Sequence, residues 1–145
     1  MGKRRAKKKN MAVFIDGENV AADKAEKIFS VIEQKGVLDY AKVYGIQKDH
    51  STKKWSDVAK NQDNVKDIRL CGGPAHDKVD NKIKRDARAA VQNASNIDIF
   101  VIVSSDHGYA DVIGELKHKG KRVVVVGEEK APERLRKAGS EFVMI

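Results

Sequence analysis

The stretch MAVFIDGENV at residues 11–20 runs five apolar residues straight into an acid, a glycine, a second acid and an amide. A short continuous apolar run marks a parallel strand buried on both faces. Asp16 then stands at the carboxyl end of that strand, the edge at which open α/β sheets bind ligands. Gly17 lets the chain turn sharply. Glu18 and Asn19 are expected to open the next helix, where acids and amides suit the free N–H groups and the dipole. A carboxylate there, with two polar neighbours, is a candidate metal or phosphate site.

Outward from this strand, helical and strand patterns alternate. Residues 19–35 place Val20, Ala25, Ile28, Phe29 and Ile32 at helical spacing, with Gly36 as the stop. Residues 37–46 read as a strand, 52–62 as a short helix on Trp55, and 65–71 as a more exposed strand. Gly72, Gly73 and Pro74 form a loop by residue type. Residues 78–93 give a helix with a stripe of Ile83, Ala87, Ala90 and Val91. Residues 97–103 and 121–127 read as buried strands, 109–118 and 131–138 as helices, and 141–145 as a last strand. This order predicts an α/β fold with a mostly parallel central sheet and helices on both faces.

The chain has 145 residues and a net charge of +8, unevenly spread. Lys3, Arg4, Arg5, Lys7, Lys8 and Lys9 crowd residues 1–10 with no acid, and the remainder carries 23 basic against 21 acidic residues. The expected organisation is a disordered basic tail over 1–10 and one domain over 11–145. Such a tail suits nucleic-acid phosphates, or merely solubilises the chain. No run reaches the ~18 apolar residues of a membrane span. A single cysteine, Cys71, excludes an internal disulfide framework and a cysteine-based zinc site. A cytoplasmic protein is expected, with the oligomeric state open, a homodimer included.

Other acids can join Asp16. Asp106 follows the most apolar strand, and it shares an edge with Asp16 if the two strands are parallel neighbours. Asp111 lies five residues further on, in the first turn of a helix, and Asp80 begins another helix. Mg²⁺ needs only a few carboxylates together with waters and phosphate oxygens. A metal pair about 4 Å apart can activate water and stabilise a leaving oxygen. Asp80 and Asp111 equally suit the helix dipole, and Asp86 suits an ion pair on a helix flank. Lys78 and Lys82 flank Asp80 and are candidates for holding phosphate.

FIDGENV at 14–20, VYGIQ with the tryptophan that follows at 43–55, VDNKIKRDA at 79–87 and VIVSSDHGYADVIGELKHKGKRVVVVG at 101–127 stand in this order. Together they resemble the NYN-domain family, the branch of PIN-like ribonucleases that includes the LabA-like bacterial proteins. The resemblance covers residues 11–145. It implies a Rossmann-like PIN/NYN fold and an acid cluster that binds Mg²⁺ or Mn²⁺ and cuts RNA. In its terms Asp16 is the first-strand acid and Asn19 its supporting amide. Asp80 and Asp86 are the acids of the VD and DA steps, and Asp106 is the acid after the fourth strand. Many members carry D-x-D-[FY] after that strand, and here the second acid is Gly108, with Tyr109 keeping the aromatic. The resemblance leaves two outcomes: Asp111 replaces the missing ligand, or the second metal position is weakened and activity is low or absent.

The leading expectation is a metal-dependent endoribonuclease. Asp16, Asp80, Asp106 and Asp111 would hold the metal, with Asn19 in support and Lys78, Lys82, Lys84 and Arg85 on the RNA backbone. A non-catalytic RNA-binding module is the alternative. A phosphatase of the haloacid dehalogenase type is a remote third, since Glu18 stands where that chemistry wants a second aspartate.

Overall fold

The computed structural model describes residues 8–46, 50–71, 75–94 and 96–145, and the side chains of 50–52 and 75–77 lie outside the description. Most of the basic tail and the loop at 72–74 therefore lie outside the described residues. The strands are β1 (Asn10–Asp16), β2 (Val37–Ile46), β3 (Val65–Leu70), β4 (Ile99–Val103), β5 (Arg122–Gly127) and β6 (Glu141–Met144). The helices are α1 (Ala25–Glu33), α2 (His50–Lys60), α3 (Ala75–Asn93), α4 (Ala110–His118) and α5 (Glu133–Ala138).

All six strands form one parallel sheet in the order β3-β2-β1-β4-β5-β6. The three apolar runs seen in the sequence occupy its centre. Met11 to Ile15 are fully buried, and Ile99 to Val103 and Val123 to Val126 nearly so. Covering both faces of these strands explains why their residues do not alternate with polar ones. Each large side chain removed from water there contributes about 1.5–3 kcal/mol.

Strand parity sorts the core into two layers. Val13, Ile15, Val43 and Val101 face Ile28 and Ile32 of α1 and Trp55 of α2. Ala12, Phe14, Tyr44, Phe100 and Ile102 face α3, α4 and α5 through Ile83, Ile113 and Leu135. The chain runs outward through β2 and β3, then crosses to β4 on the other side of β1. The strand order thus reverses between β1 and β4, which makes their carboxyl ends the expected crevice. Ile15 lies beside Val103 and Asp16 beside Tyr44, so Asp16 and the residues after Val103 share that edge.

Two local expectations are corrected. Glu18 and Asn19 do not open a helix. The N–H groups of Asn19 and Val20 both donate to the Asp16 carbonyl, at 3.2 and 3.0 Å. That turn delays the helix to a 3-10 turn at Ala22–Lys24 followed by α1. Gly17 serves close approach rather than a special dihedral angle, since no positive φ is found there. Its N–H donates to the Tyr44 carbonyl at 2.9 Å. A Cβ at Gly17 would stand 2.7 Å from that same oxygen and 3.2 Å from the Trp55 ring. Among the described residues no helix is long and apolar enough to cross a membrane.

Candidate active site

Asp16 ends β1 on the face shared with α3 and α4, and only 1% of it is exposed. Its carboxylate accepts four hydrogen bonds. Asn19 Nδ2 donates to Oδ2 at 2.6 Å, and the Asn19 N–H to Oδ1 at 3.3 Å. Tyr109 Oη donates to Oδ2 at 2.9 Å and Ser104 Oγ at 3.3 Å. All four donors are neutral. Burial pushes the Asp16 carboxyl above the usual carboxylate range, against the opposing pull of those hydrogen bonds. An acid in this state gains from any cation brought beside it.

The β4 end supplies the next two groups. Ser104 follows the strand with the parity of Phe100 and Ile102, which aims it at Asp16. Its Oγ also accepts the Asp106 N–H at 3.1 Å, so one buried hydroxyl joins the two acid-bearing segments. Asp106 Oδ1 accepts the Gly108 N–H at 3.0 Å and caps the 3-10 turn His107–Tyr109. This turn carries the fully buried Tyr109 back over Asp16.

Gly108 lies between two carboxylates. A Cβ there would stand 3.2 Å from Asp80 Oδ2 and 3.5 Å from Asp106 Oδ1. Asp80 reaches this place because Val79, Ile83 and Ala87 bury one face of α3 against the sheet. The Tyr109 phenol is held protonated, well above its usual range. Burial is the largest cause, followed by the negative fields of Asp16, Asp80 and Asp106. The Tyr109 hydroxyl thus bonds to Asp16 while the neighbouring Gly108 lies between Asp80 and Asp106.

Asp80 Oδ1 is buried without a hydrogen bond. Lys84 Nζ stands 3.2 Å from it as an ion pair that lacks hydrogen-bond geometry, and lies 6.0 Å from the centre of the Tyr109 ring. Further along α3, Asp86 Oδ2 accepts from Tyr44 Oη at 2.6 Å, and its Oδ1 pairs with Lys82 Nζ at 3.1 Å. Burial and that acceptor together hold the Tyr44 phenol protonated.

The structure does not bring every candidate to this group. Asp111 lies on the outer side of α4, with 78% of its side chain exposed, 3.4 Å from an Arg134 nitrogen. Glu18 turns aside, its Oε1 accepting the Ile46 N–H at 2.8 Å. Lys78, Lys82 and Arg85 line a cleft of about 280 Å³ with Leu70, Cys71 and Asn81, between the end of β3 and α3. Lys84 leaves that row and turns to Asp80. Sequence reasoning did not assign roles to Ser104 or to the Tyr109 hydroxyl. The parity of β4 was the signal for the first, and nothing in spacing announced the second.

Among the described residues no three aspartate, glutamate, histidine or cysteine side chains stand close enough together to ligate one ion as they are placed. The chemistry of the set nonetheless fits a hard divalent cation. It offers Asp80 Oδ2 and Asp106 Oδ1 on either side of the space left by Gly108, while the other Asp80 oxygen is paired with Lys84.

The family model of the NYN domain matches residues 10–145. No curated protein matches the chain in sequence. Among solved structures, a protein of unknown function from Vibrio parahaemolyticus is similar with a TM-score of 0.77 and 20% identity, over 100% of this chain and 96% of that one. That likeness supports the fold. Nicotinic acid mononucleotide adenylyltransferase from Plasmodium falciparum matches with a TM-score of 0.45 and 10% identity, over 94% of this chain and 74% of its own.

Proposed function

The chain belongs to the NYN domain family, a nuclease-type domain of the PIN-like class, and from that premise we propose that it is a metal-dependent endoribonuclease. The observation that carries the reading is the Gly108–Tyr109 turn, whose tyrosine donates to Asp16 Oδ2 at 2.9 Å and whose glycine leaves a space bounded by Asp80 Oδ2 and Asp106 Oδ1. Asp16, Asp80 and Asp106 would hold Mg²⁺ or Mn²⁺. The bound ion would supply Lewis-acid activation of water and charge neutralisation at the phosphate.

The remaining groups prepare that site. Asn19, Ser104 and Tyr109 fix both oxygens of Asp16, so the acid is oriented before substrate arrives. Ser104 ties the Asp106 backbone to the same frame. Lys78, Lys82 and Arg85 take the RNA backbone along the cleft beside α3, with each phosphate contact releasing counterions. These contacts position RNA and carry no sequence information by themselves. Asp111 is left out of the ligand set, since it is exposed and paired with Arg134.

The test is cleavage of a labelled RNA by the purified chain in Mn²⁺. The expected outcome is internal cutting that EDTA stops and Asp16→Asn abolishes, with the variant still folded by circular dichroism. A second reading, an RNA-binding module without catalysis, is favoured by Gly108 and by the lack of a ready three-ligand cluster among the described residues. Intact RNA after prolonged incubation, with binding that survives Asp16→Asn, would establish that reading instead.

A further inference from the structure

We propose that Lys84 is a resident cation of the carboxylate cluster and limits it to one divalent ion. The inference rests on the metal-binding reading above. Four basic side chains lie close together on α3, at 78, 82, 84 and 85. Three of them line the cleft beside β3, and Lys84 turns to Asp80.

The setting of Lys84 differs from that of an ordinary helix-surface pair. Its side chain is 20% exposed and that of Asp80 22%, whereas the equally spaced pair of Lys137 and Glu133 is 75% and 77% exposed. The Lys84 ammonium is covered on one side by the Tyr109 ring, whose hydroxyl donates to Asp16. Charge held in that position is screened little by solvent. It bears directly on Asp80, 3.2 Å away.

Formal charge then sets the capacity. Asp16, Asp80 and Asp106 carry three negative charges, and Lys84 returns one, with His107 counted neutral. The balance of two matches one divalent ion. Gly108 brings no further carboxylate, and its missing Cβ is the gap between Asp80 and Asp106. A second ion about 4 Å from the first would face both that ion and the ammonium, with too few acids to offset the repulsion. Lys84 is a charge-balancing and positioning residue in this scheme. It holds Asp80 while the opposite oxygen, Oδ2, stays turned toward the crevice at Gly108.

The experiment counts Mn²⁺ bound per chain by equilibrium dialysis, with affinity from the same isotherm, and needs no RNA. Wild type is expected to bind one ion. Lys84→Met is expected to bind a second ion. Lys84→Arg, which keeps the charge, and Lys137→Met, which removes an exposed charge of the same spacing, are expected to match wild type. Two ions in wild type overturn the proposal, as does a single ion on folded Lys84→Met. If Lys84→Met does not fold, Lys84→Gln takes its place with the same two outcomes. Absence of Mn²⁺ binding in wild type overturns the metal-binding reading itself, which separates that failure from failure of the role given to Lys84.

Discussion

Tyr109 Oη lies 2.9 Å from Asp16 Oδ2, joining residues 93 apart in sequence inside the closed edge of the sheet. The bond fastens the turn after β4 over the end of β1, so the same contact closes the core and orients the acid. Tyr109→Phe keeps the packing and removes the donor. Leaving a buried carboxylate oxygen short of one partner costs about 1–3 kcal/mol. The melting temperature is expected to fall by several degrees in calorimetry, and RNA cleavage to fall with it.

Asp16 connects stability to pH. Its carboxyl titrates higher in the folded chain than in the unfolded one, because burial outweighs four neutral donors. Between those two values the native state binds the extra proton, so stability falls as pH rises through that window. Asp16→Asn has no such titration. Its melting temperature relative to wild type is expected to rise from about pH 4 upward, then level off once the native carboxyl has ionised. Without added metal the stability of the variant relative to wild type is expected to be higher at pH 8 than at pH 4, and the variant is expected to be inactive. A flat difference between pH 4 and pH 8 would contradict the burial argument.

Gly17 is a steric requirement of the site. A Cβ 2.7 Å from the Tyr44 carbonyl meets backbone, and the β1–β2 pairing must shift to admit it. Gly17→Ala is expected to lower the unfolding free energy by about 2–4 kcal/mol in urea titrations. A loss under 0.5 kcal/mol, the ordinary effect of a surface change, would show that the loop has room.

The fold was legible because parallel strands buried on both faces leave uninterrupted apolar runs. Met11–Ile15 and Val123–Val126 need no alternation to be recognised. The acids at the carboxyl ends followed from the same reading, since Asp16 closes one such run and Asp106 lies three residues beyond the end of another. What spacing could not carry was the packing of one element on another. The hydroxyl bond from Tyr109 to Asp16, the pairing of Tyr44 with Asp86 and the turning of Lys84 toward Asp80 depend on how α3 and α4 sit on the sheet. Asp111 shows the converse, since its spacing from Asp106 suggested a ligand and the helix turns it to solvent beside Arg134.

The cleft beside α3 makes an electrostatic prediction. Replacing Lys78, Lys82 and Arg85 together with alanine is expected to weaken RNA binding at low salt. It should also reduce the slope of log affinity against log salt by up to about 0.7 per lost phosphate contact on a single strand. Filter binding over a salt series reads both. An unchanged slope would place the RNA elsewhere on the molecule. Lys82→Ala alone also removes the cation beside Asp86 Oδ1, so the triple variant is compared with Asp86→Asn.

The central claim is that Asp16, Asp80 and Asp106 act together as ligands of a divalent ion. Anomalous diffraction from crystals soaked in Mn²⁺ tests it without recourse to any RNA. The account predicts a manganese peak in the crevice beside Gly108, ligated by carboxylate oxygens of Asp16, Asp80 and Asp106, with Asp111 still paired to Arg134. Soaked crystals with no peak there, or with the peak at Asp111, would contradict it.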